Sequence, residues 1–197
     1  MKKTTLLIPT SFQMSLLYGT LLGDSYLYTK GTIQIEQSEA HKEDVFWLYD
    51  QLKSLTTGKG PQVATRKRIH LKTGHITHTQ SSRFDTRHLF REWKPVFYQE
   101  GVGLHGEPVD FSERLDAVAL AIWFLDDGGR SSSVKTGVFL TVDSYTSFEI
   151  TRIQETLENK FQIKTKKQKV GVSSSGNDQI GLAISGLDYL EFYRLGS

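Results

Sequence analysis

Two stretches of the chain are strongly apolar, one of them without interruption, and both run into acid. From Ala117 to Leu125 nine apolar residues stand in a row, followed by Asp126, Asp127 and two glycines. Leu16 to Tyr26, LLYGTLLGDSY, repeats the form and ends its apolar part on Asp24. Such runs are too short to cross a bilayer and too apolar for a surface, so each predicts a helix buried on most sides. Each also delivers carboxylate to a helix C-terminus, where the backbone carbonyls already concentrate negative potential. That placement is unfavourable unless a cation joins it.

After each apolar helix comes a polar stretch containing Gly or Ser, then clear alternation. Thr32-Ile33-Gln34-Ile35-Glu36 and Gly137-Val138-Phe139-Leu140-Thr141-Val142 both read as strands. Ser38 opens an amphipathic helix to about Ser54, with Val45, Phe46, Leu48, Tyr49 and Leu52 on its apolar side. Thr146-x-x-Glu149 is a capping box for the counterpart, which runs to about Lys160. Two more strands follow in each half: Gln62 to Lys72 and His75 to Ser82 around Gly74, then Phe161 to Val172 and Gln179 to Ser185 around Gly176. Asp85 and Asp188 each start a short amphipathic helix. The separations 85 − 24 and 188 − 127 are both 61 residues, and 127 − 24 puts the halves in register at an offset of 103. The pattern predicts an α+β protein of two αββαββα halves, residues 1–98 and 110–197. A Gly- and Pro-containing linker over 99–109 joins them, and Asp110-x-x-Glu113 caps the second apolar helix.

Composition narrows the function classes. With 197 residues and 38 % hydrophobic content the chain can bury a substantial core. It has no cysteine, which excludes a disulfide framework and a thiolate zinc site, and the six histidines lack metal-ligand spacing. Pro9 ends the short run Leu6-Leu7-Ile8 before it reaches the length of a signal peptide. An intracellular, reducing compartment is expected, a bacterial cytoplasm or an organelle matrix. The net charge is only +2, but its distribution is uneven. Residues 51–84 contain no acid and carry Lys53, Lys59, Arg66, Lys67, Arg68, Lys72 and Arg83. Residues 159–177 also lack acid and carry Lys160, Lys164, Lys166, Lys167 and Lys169. A basic face and an acidic back follow.

Helices cover one face of each sheet, so the other must meet solvent or a ligand. Arg66, Arg68, His70 and Lys72 share one face of their strand, with Lys67, Ile69 and Leu71 opposite. Lys164, Lys166 and Gln168 repeat the arrangement, with Ile163 opposite. A sheet face of this composition can enter a DNA major groove and reach phosphates and base edges. Gln34, His75, Arg130 and Lys135 complete the set of candidate DNA contacts.

The residues resemble the LAGLIDADG homing endonucleases in their single-chain form with two motif copies. Laid on the motif, Leu17-Tyr18-Gly19-Thr20-Leu21-Leu22-Gly23-Asp24-Ser25 and Leu120-Ala121-Ile122-Trp123-Phe124-Leu125-Asp126-Asp127-Gly128 put Asp24 and Asp127 at the acidic position. The resemblance implies that the motif helices pack side by side between pseudo-symmetric halves, and that the antiparallel sheets form a DNA-binding saddle. It implies a monomer of intron or intein origin that hydrolyses both strands of a long duplex with Mg²⁺ or Mn²⁺. Asp24 and Asp127 would be catalytic metal ligands, with backbone carbonyls offered by Gly23 and Asp126. The ion would activate water and neutralise charge at the phosphate. Gln37 and Asp143, at the ends of the first strands, would order water nearby.

Members of that family commonly place a lysine after the last helix of a half. Here residues 99–108 hold no Lys or Arg, and His105 is the nearest basic candidate. A non-cleaving maturase that binds intron RNA, or a DNA-binding protein of the same fold, is therefore the alternative. Asp24 and Asp127 favour cleavage, because a pure binder has no need of carboxylates facing phosphates. A duplicated metabolic enzyme is disfavoured, since no nucleotide fingerprint or nucleophile constellation appears.

Overall fold

The computed structural model describes residues 7–69, 74–98, 108, 110–130, 137–172, 176 and 178–184. Two four-stranded antiparallel sheets carry the architecture. The first contains β1 (Tyr26–Leu27), β2 (Ile33–Ser38), β3 (Gln62–Ile69) and β4 (Ile76–Asp85), in the order β1-β2-β4-β3. The second contains β5 (Gly128–Arg130), β6 (Val138–Thr141), β7 (Thr165–Val172) and β8 (Asp178–Ile184), in the order β5-β6-β8-β7. Helices α1 (Ser11–Leu22) and α5 (Ala117–Asp127) are the two apolar runs, and α2 (Lys42–Leu52) and α6 (Ser147–Phe161) the two amphipathic ones. Short helices α3 (Lys94–Phe97) and α4 (Phe111–Arg114) complete the described elements. No helix among the described residues is long and apolar enough to cross a membrane.

By contacts the chain forms two compact units. One takes in Asp24–Lys94 with the start of α1; the other takes in Ser15–Gly23 with the chain from Pro95 onward. The buried part of α1 thus groups with α5 rather than with the half that follows it in sequence.

In the first unit α2 buries Val45, Leu48, Tyr49 and Leu52, and Ile33, Ile35 and Phe84 supply the core face of the sheet. Tyr49 meets Phe84 edge-on at 5.4 Å. Phe46, expected on that apolar side, is instead 49 % exposed. The helix also starts later than Ser38. A 3-10 turn, Glu39–His41, comes first, and the Ser38 side chain makes no capping bond. The Glu39 carboxylate accepts from Lys42 at 2.9 Å and from Ser82 at 3.2 Å, which holds this turn. Asp85 does not begin a helix. It ends β4 opposite Gln34, and the Thr86 amide extends the ladder to the Ile33 carbonyl at 2.9 Å. The helical turn starts only at Arg91, with Phe90 and Trp93 buried.

In the second unit the capping box at Thr146 is present as expected: the Glu149 amide donates to Thr146 Oγ1 at 3.3 Å, and the Thr146 amide to Glu149 Oε2 at 2.6 Å. Asp110 does not cap the second apolar helix. It precedes the separate helix α4, makes no capping bond, and binds Arg114 and the Tyr18 hydroxyl instead. The cap of α5 is Asp116, which accepts from the Ala119 amide at 2.8 Å and also binds the Ser15 hydroxyl. The last strand pair begins at Thr165 rather than Phe161, because α6 runs through Phe161 and ends on Gln162 at φ 59. The short helix expected from Asp188 lies outside the described residues.

Candidate metal and nucleic-acid site

Small residues on α1 let it approach α5 closely. A Cβ built on Gly19 would stand 2.5 Å from the Ala119 carbonyl oxygen and 2.8 Å from Ile122 Cβ. One turn later, a Cβ on Gly23 would stand 2.5 Å from both Cβ and Oδ2 of Asp126. Gly23 and Asp126, the two residues expected to offer backbone carbonyls, are therefore in contact, with the Asp126 side chain laid over the Gly23 backbone. Tyr145 donates its hydroxyl to the Leu22 carbonyl at 3.3 Å, at the end of the same helix.

The motif carboxylates stand at the ends of these helices, each with an N–H donor. Asp24 is exposed, just past α1, and accepts from Gln37 Nε2 at 3.2 Å. Asp127 is half-buried, the last residue of α5, and accepts from Trp123 Nε1 at 3.0 Å. Gln37, expected to order water from the end of its strand, donates directly to the Asp24 carboxylate. Asp143 does not follow suit: its carboxylate takes the Ile180 amide and joins the end of β6 to β8. Carboxylate oxygens suit a hard divalent cation. Among the described residues no three His, Cys, Asp or Glu side chains gather as a metal cage.

The outward face of the first sheet follows from pairing. Ile35 lies opposite Phe84 on the core side, so Gln34, Glu36, Arg66, Arg83 and Asp85 lie on the other. Arg66 is exposed but engaged, its guanidinium 2.7 Å from Glu36, and Arg83 stands 3.9 Å from the same carboxylate. Gln34 donates to Asp85 and accepts from the Tyr28 hydroxyl, both at 3.2 Å. Arg68 stands opposite Thr77 on the same face, though its side chain lies outside the described residues. His75 is exposed just before β4, and Arg130 is exposed at the end of β5.

In the second sheet Val138, Leu140, Leu182 and Ile184 form the buried face. Lys166 and Gln168 therefore point outward, as expected, beside Phe139 and Thr141. Lys164 departs from them. It precedes β7, and its ammonium lies 3.6 Å from Glu158 on α6. Phe139 lies over two glycines: a Cβ on Gly129 would meet its ring at 2.5 Å, and one on Gly181 at 3.2 Å. His70, Lys72, His105 and Lys135 lie outside the described residues.

Two side chains beyond those expected from the sequence hold candidate site residues. Glu36 holds two arginines on the open face, and only the strand pairing brings them together. Trp123 precedes Asp127 by four residues, so helical i,i+4 spacing alone could have pointed to it.

Cytochrome b mRNA maturase bI2 of Debaryomyces hansenii is 28 % identical over 171 residues, covering 83 % of this chain and 62 % of the maturase. Intron-encoded endonuclease ai4 of Dictyostelium discoideum is 33 % identical over 87 residues, covering 42 % of this chain and 52 % of that protein. The chain therefore spans between about half and two thirds of the length of these curated relatives. Among solved structures, the homing endonuclease I-WcaI bound to its DNA recognition sequence superposes with a TM-score of 0.72 at 21 % identity, over 94 % of this chain and 80 % of that one. I-DmoI in complex with DNA and Mn gives a TM-score of 0.50 at 15 % identity, over 95 % and 98 % of the two chains. These likenesses establish the fold. The model of the LAGLIDADG DNA endonuclease family matches residues 14–182, and the chain belongs to that family.

Proposed function

We propose that this chain is a site-specific endonuclease of the homing type, acting as a monomer. It hydrolyses both strands of a long DNA duplex with a divalent cation, Mg²⁺ or Mn²⁺. The observation that carries this reading is the retention of Asp24 and Asp127 at the ends of two apolar helices, each bound by an N–H donor. Negative charge at a helix C-terminus is unfavourable by itself and becomes favourable beside a cation. Asp24 and Asp127 would each be a metal ligand serving one strand, and the bound cation would activate water and neutralise charge on the phosphate. Gln37 and Trp123 orient the two carboxylates. Arg66 and Lys166 meet phosphates or guanine edges, and Gln34 and Gln168 offer amides suited to adenine.

A second reading, an intron maturase, is favoured by one specific observation. The relative matched over 83 % of this chain is named a cytochrome b mRNA maturase. The absence of Lys and Arg from residues 99–108 points the same way.

Incubation with a randomised duplex library and Mg²⁺, followed by sequencing of cut ends, separates the two. Cutting at one long site, abolished by Asp127→Asn, supports the endonuclease. No cutting, with binding to intron RNA retained in the same variant, supports the maturase.

A further inference from the structure

The two motif acids are supported differently, and the difference traces to one pair of positions. Thr20 and Trp123 lie four residues before Asp24 and Asp127, at the repeat offset of 103. Thr20 is buried, and its hydroxyl donates back to the Leu17 carbonyl at 3.0 Å. Trp123 is fully buried, and its indole N–H reaches forward to Asp127 Oδ2 at 3.0 Å. The indole cannot swing away, because Phe111 packs against it edge-on at 5.9 Å and Tyr145 at 6.0 Å. The backbone at Asp127 is likewise held: the Gly128 amide closes onto the Phe124 carbonyl, and a Cβ at Gly128 would collide with that oxygen.

We propose that Trp123 is a positioning residue for Asp127, fixing the rotamer of its carboxylate through the indole N–H. This rests on the endonuclease reading above. A side chain at a helix end otherwise samples several rotamers. A buried indole N–H needs an acceptor, so the constraint acts in both directions. Groups that orient a metal ligand from outside its coordination sphere typically contribute about 10- to 100-fold to metal affinity. Asp24 receives its amide from Gln37 on a strand. Loss of the Trp123 N–H therefore weakens the function of one carboxylate and spares the other.

The test removes the N–H while keeping the shape. In the 197-residue chain, β-(3-benzothienyl)alanine, which carries sulfur in place of the indole N–H, is incorporated at position 123 alone. Mn²⁺ binding is measured by calorimetry on the protein with its selected duplex, in otherwise unaltered and Asp127→Asn backgrounds. Cleavage is followed with each DNA strand labelled separately. The expected result is about a 10-fold loss of Mn²⁺ affinity with little change in melting temperature, no further loss in the Asp127→Asn background, and accumulation of duplex nicked in one strand. Mn²⁺ affinity unchanged within twofold overturns the proposal, as does an equal loss in both backgrounds or equal slowing of both strands. If the unaltered protein binds no Mn²⁺, or Asp127→Asn binds it undiminished, the endonuclease reading fails and the proposal fails with it.

Discussion

Gly19→Ala tests the packing of α1 against α5 with the smallest possible change. In an isolated helix this substitution stabilises by about 1 kcal/mol, because alanine is the better helix former. Here the added methyl would stand 2.5 Å from the Ala119 carbonyl oxygen and 2.8 Å from Ile122 Cβ. Carbon atoms rest at about 3.5–4.0 Å, so the helices would have to separate by roughly 1 Å at this point. The carbonyl belongs to a helix backbone and has no rotamer by which to move aside. Overpacking of this kind costs about 1–3 kcal/mol. Set against the gain in propensity, a net loss of about 1–2 kcal/mol is the upper part of the expected range. For a chain of this size each kcal/mol lowers the melting temperature by about 2–4 °C, so a fall of about 2–8 °C is expected by scanning calorimetry. Gly60 is the control, since a Cβ there meets nothing within 4 Å. Gly60→Ala should leave the melting temperature unchanged or raise it slightly. If Gly19→Ala melts at or above the temperature of the unaltered protein, the seam has room and the argument from close approach is wrong.

Three further outcomes follow from particular contacts. Asp127→Ala leaves the buried Trp123 N–H without this acceptor and should be less stable than Asp127→Asn by about 1–3 kcal/mol in urea unfolding; equal stability would remove the hydrogen bond from the account. Burial, and then the charge and hydrogen bond of Asp110, push the Tyr18 phenol well above the usual tyrosine range. The unfolded chain then loses that proton first, so this contribution is complete below about pH 10 and is lost as pH rises beyond it. Ultraviolet titration should show one of the eight tyrosines ionising only with unfolding, and Tyr18→Phe should remove that late step. Glu36→Gln takes the ion-pair partner from Arg66 and Arg83. Non-specific duplex binding should tighten, with a salt dependence steeper by about one to two phosphate contacts between about 50 and 200 mM; an unchanged slope would mean that neither arginine reaches phosphate.

What the sequence disclosed was local. The apolar runs, the alternation of β2 and β6 and the Thr146 box each depend on neighbours within a few positions, and each stands in the structure. What it concealed was decided by partners distant in the chain. Asp110 with Glu113 fits the capping template better than Asp116 does, yet Asp116 caps α5 and binds Ser15, while Asp110 is taken up by Tyr18 and Arg114. Asp85 looks like a helix start and is a strand end, because Gln34 faces it in the ladder. The repeat also misleads about facing. β3 and β7 lie 103 residues apart at both ends, but Gln62 is on the outward face and Thr165 on the core side. The linking segments differ in length, β3 beginning ten residues after α2 ends and β7 four after α6 ends. Side-chain direction reverses with every residue of slip.

The repeat is kept most closely where backbones touch and least where the acids are held. Gly19 meets Ile122 and Gly23 meets Asp126, both pairs at the offset of 103, so the contact between the motif helices is itself symmetric. At the carboxylates the symmetry ends: a buried indole within the same helix binds Asp127, and an amide from a strand binds Asp24. Close packing admits few alternatives, since a second side chain in the seam would force the helices apart. Hydrogen-bond donors can reach an acid at a helix end from several directions. Unequal cutting of two strands by this chain would therefore originate in what holds Asp24 and Asp127 rather than in the seam, and changes at Gln37 and Trp123 should alter the strand preference in opposite senses.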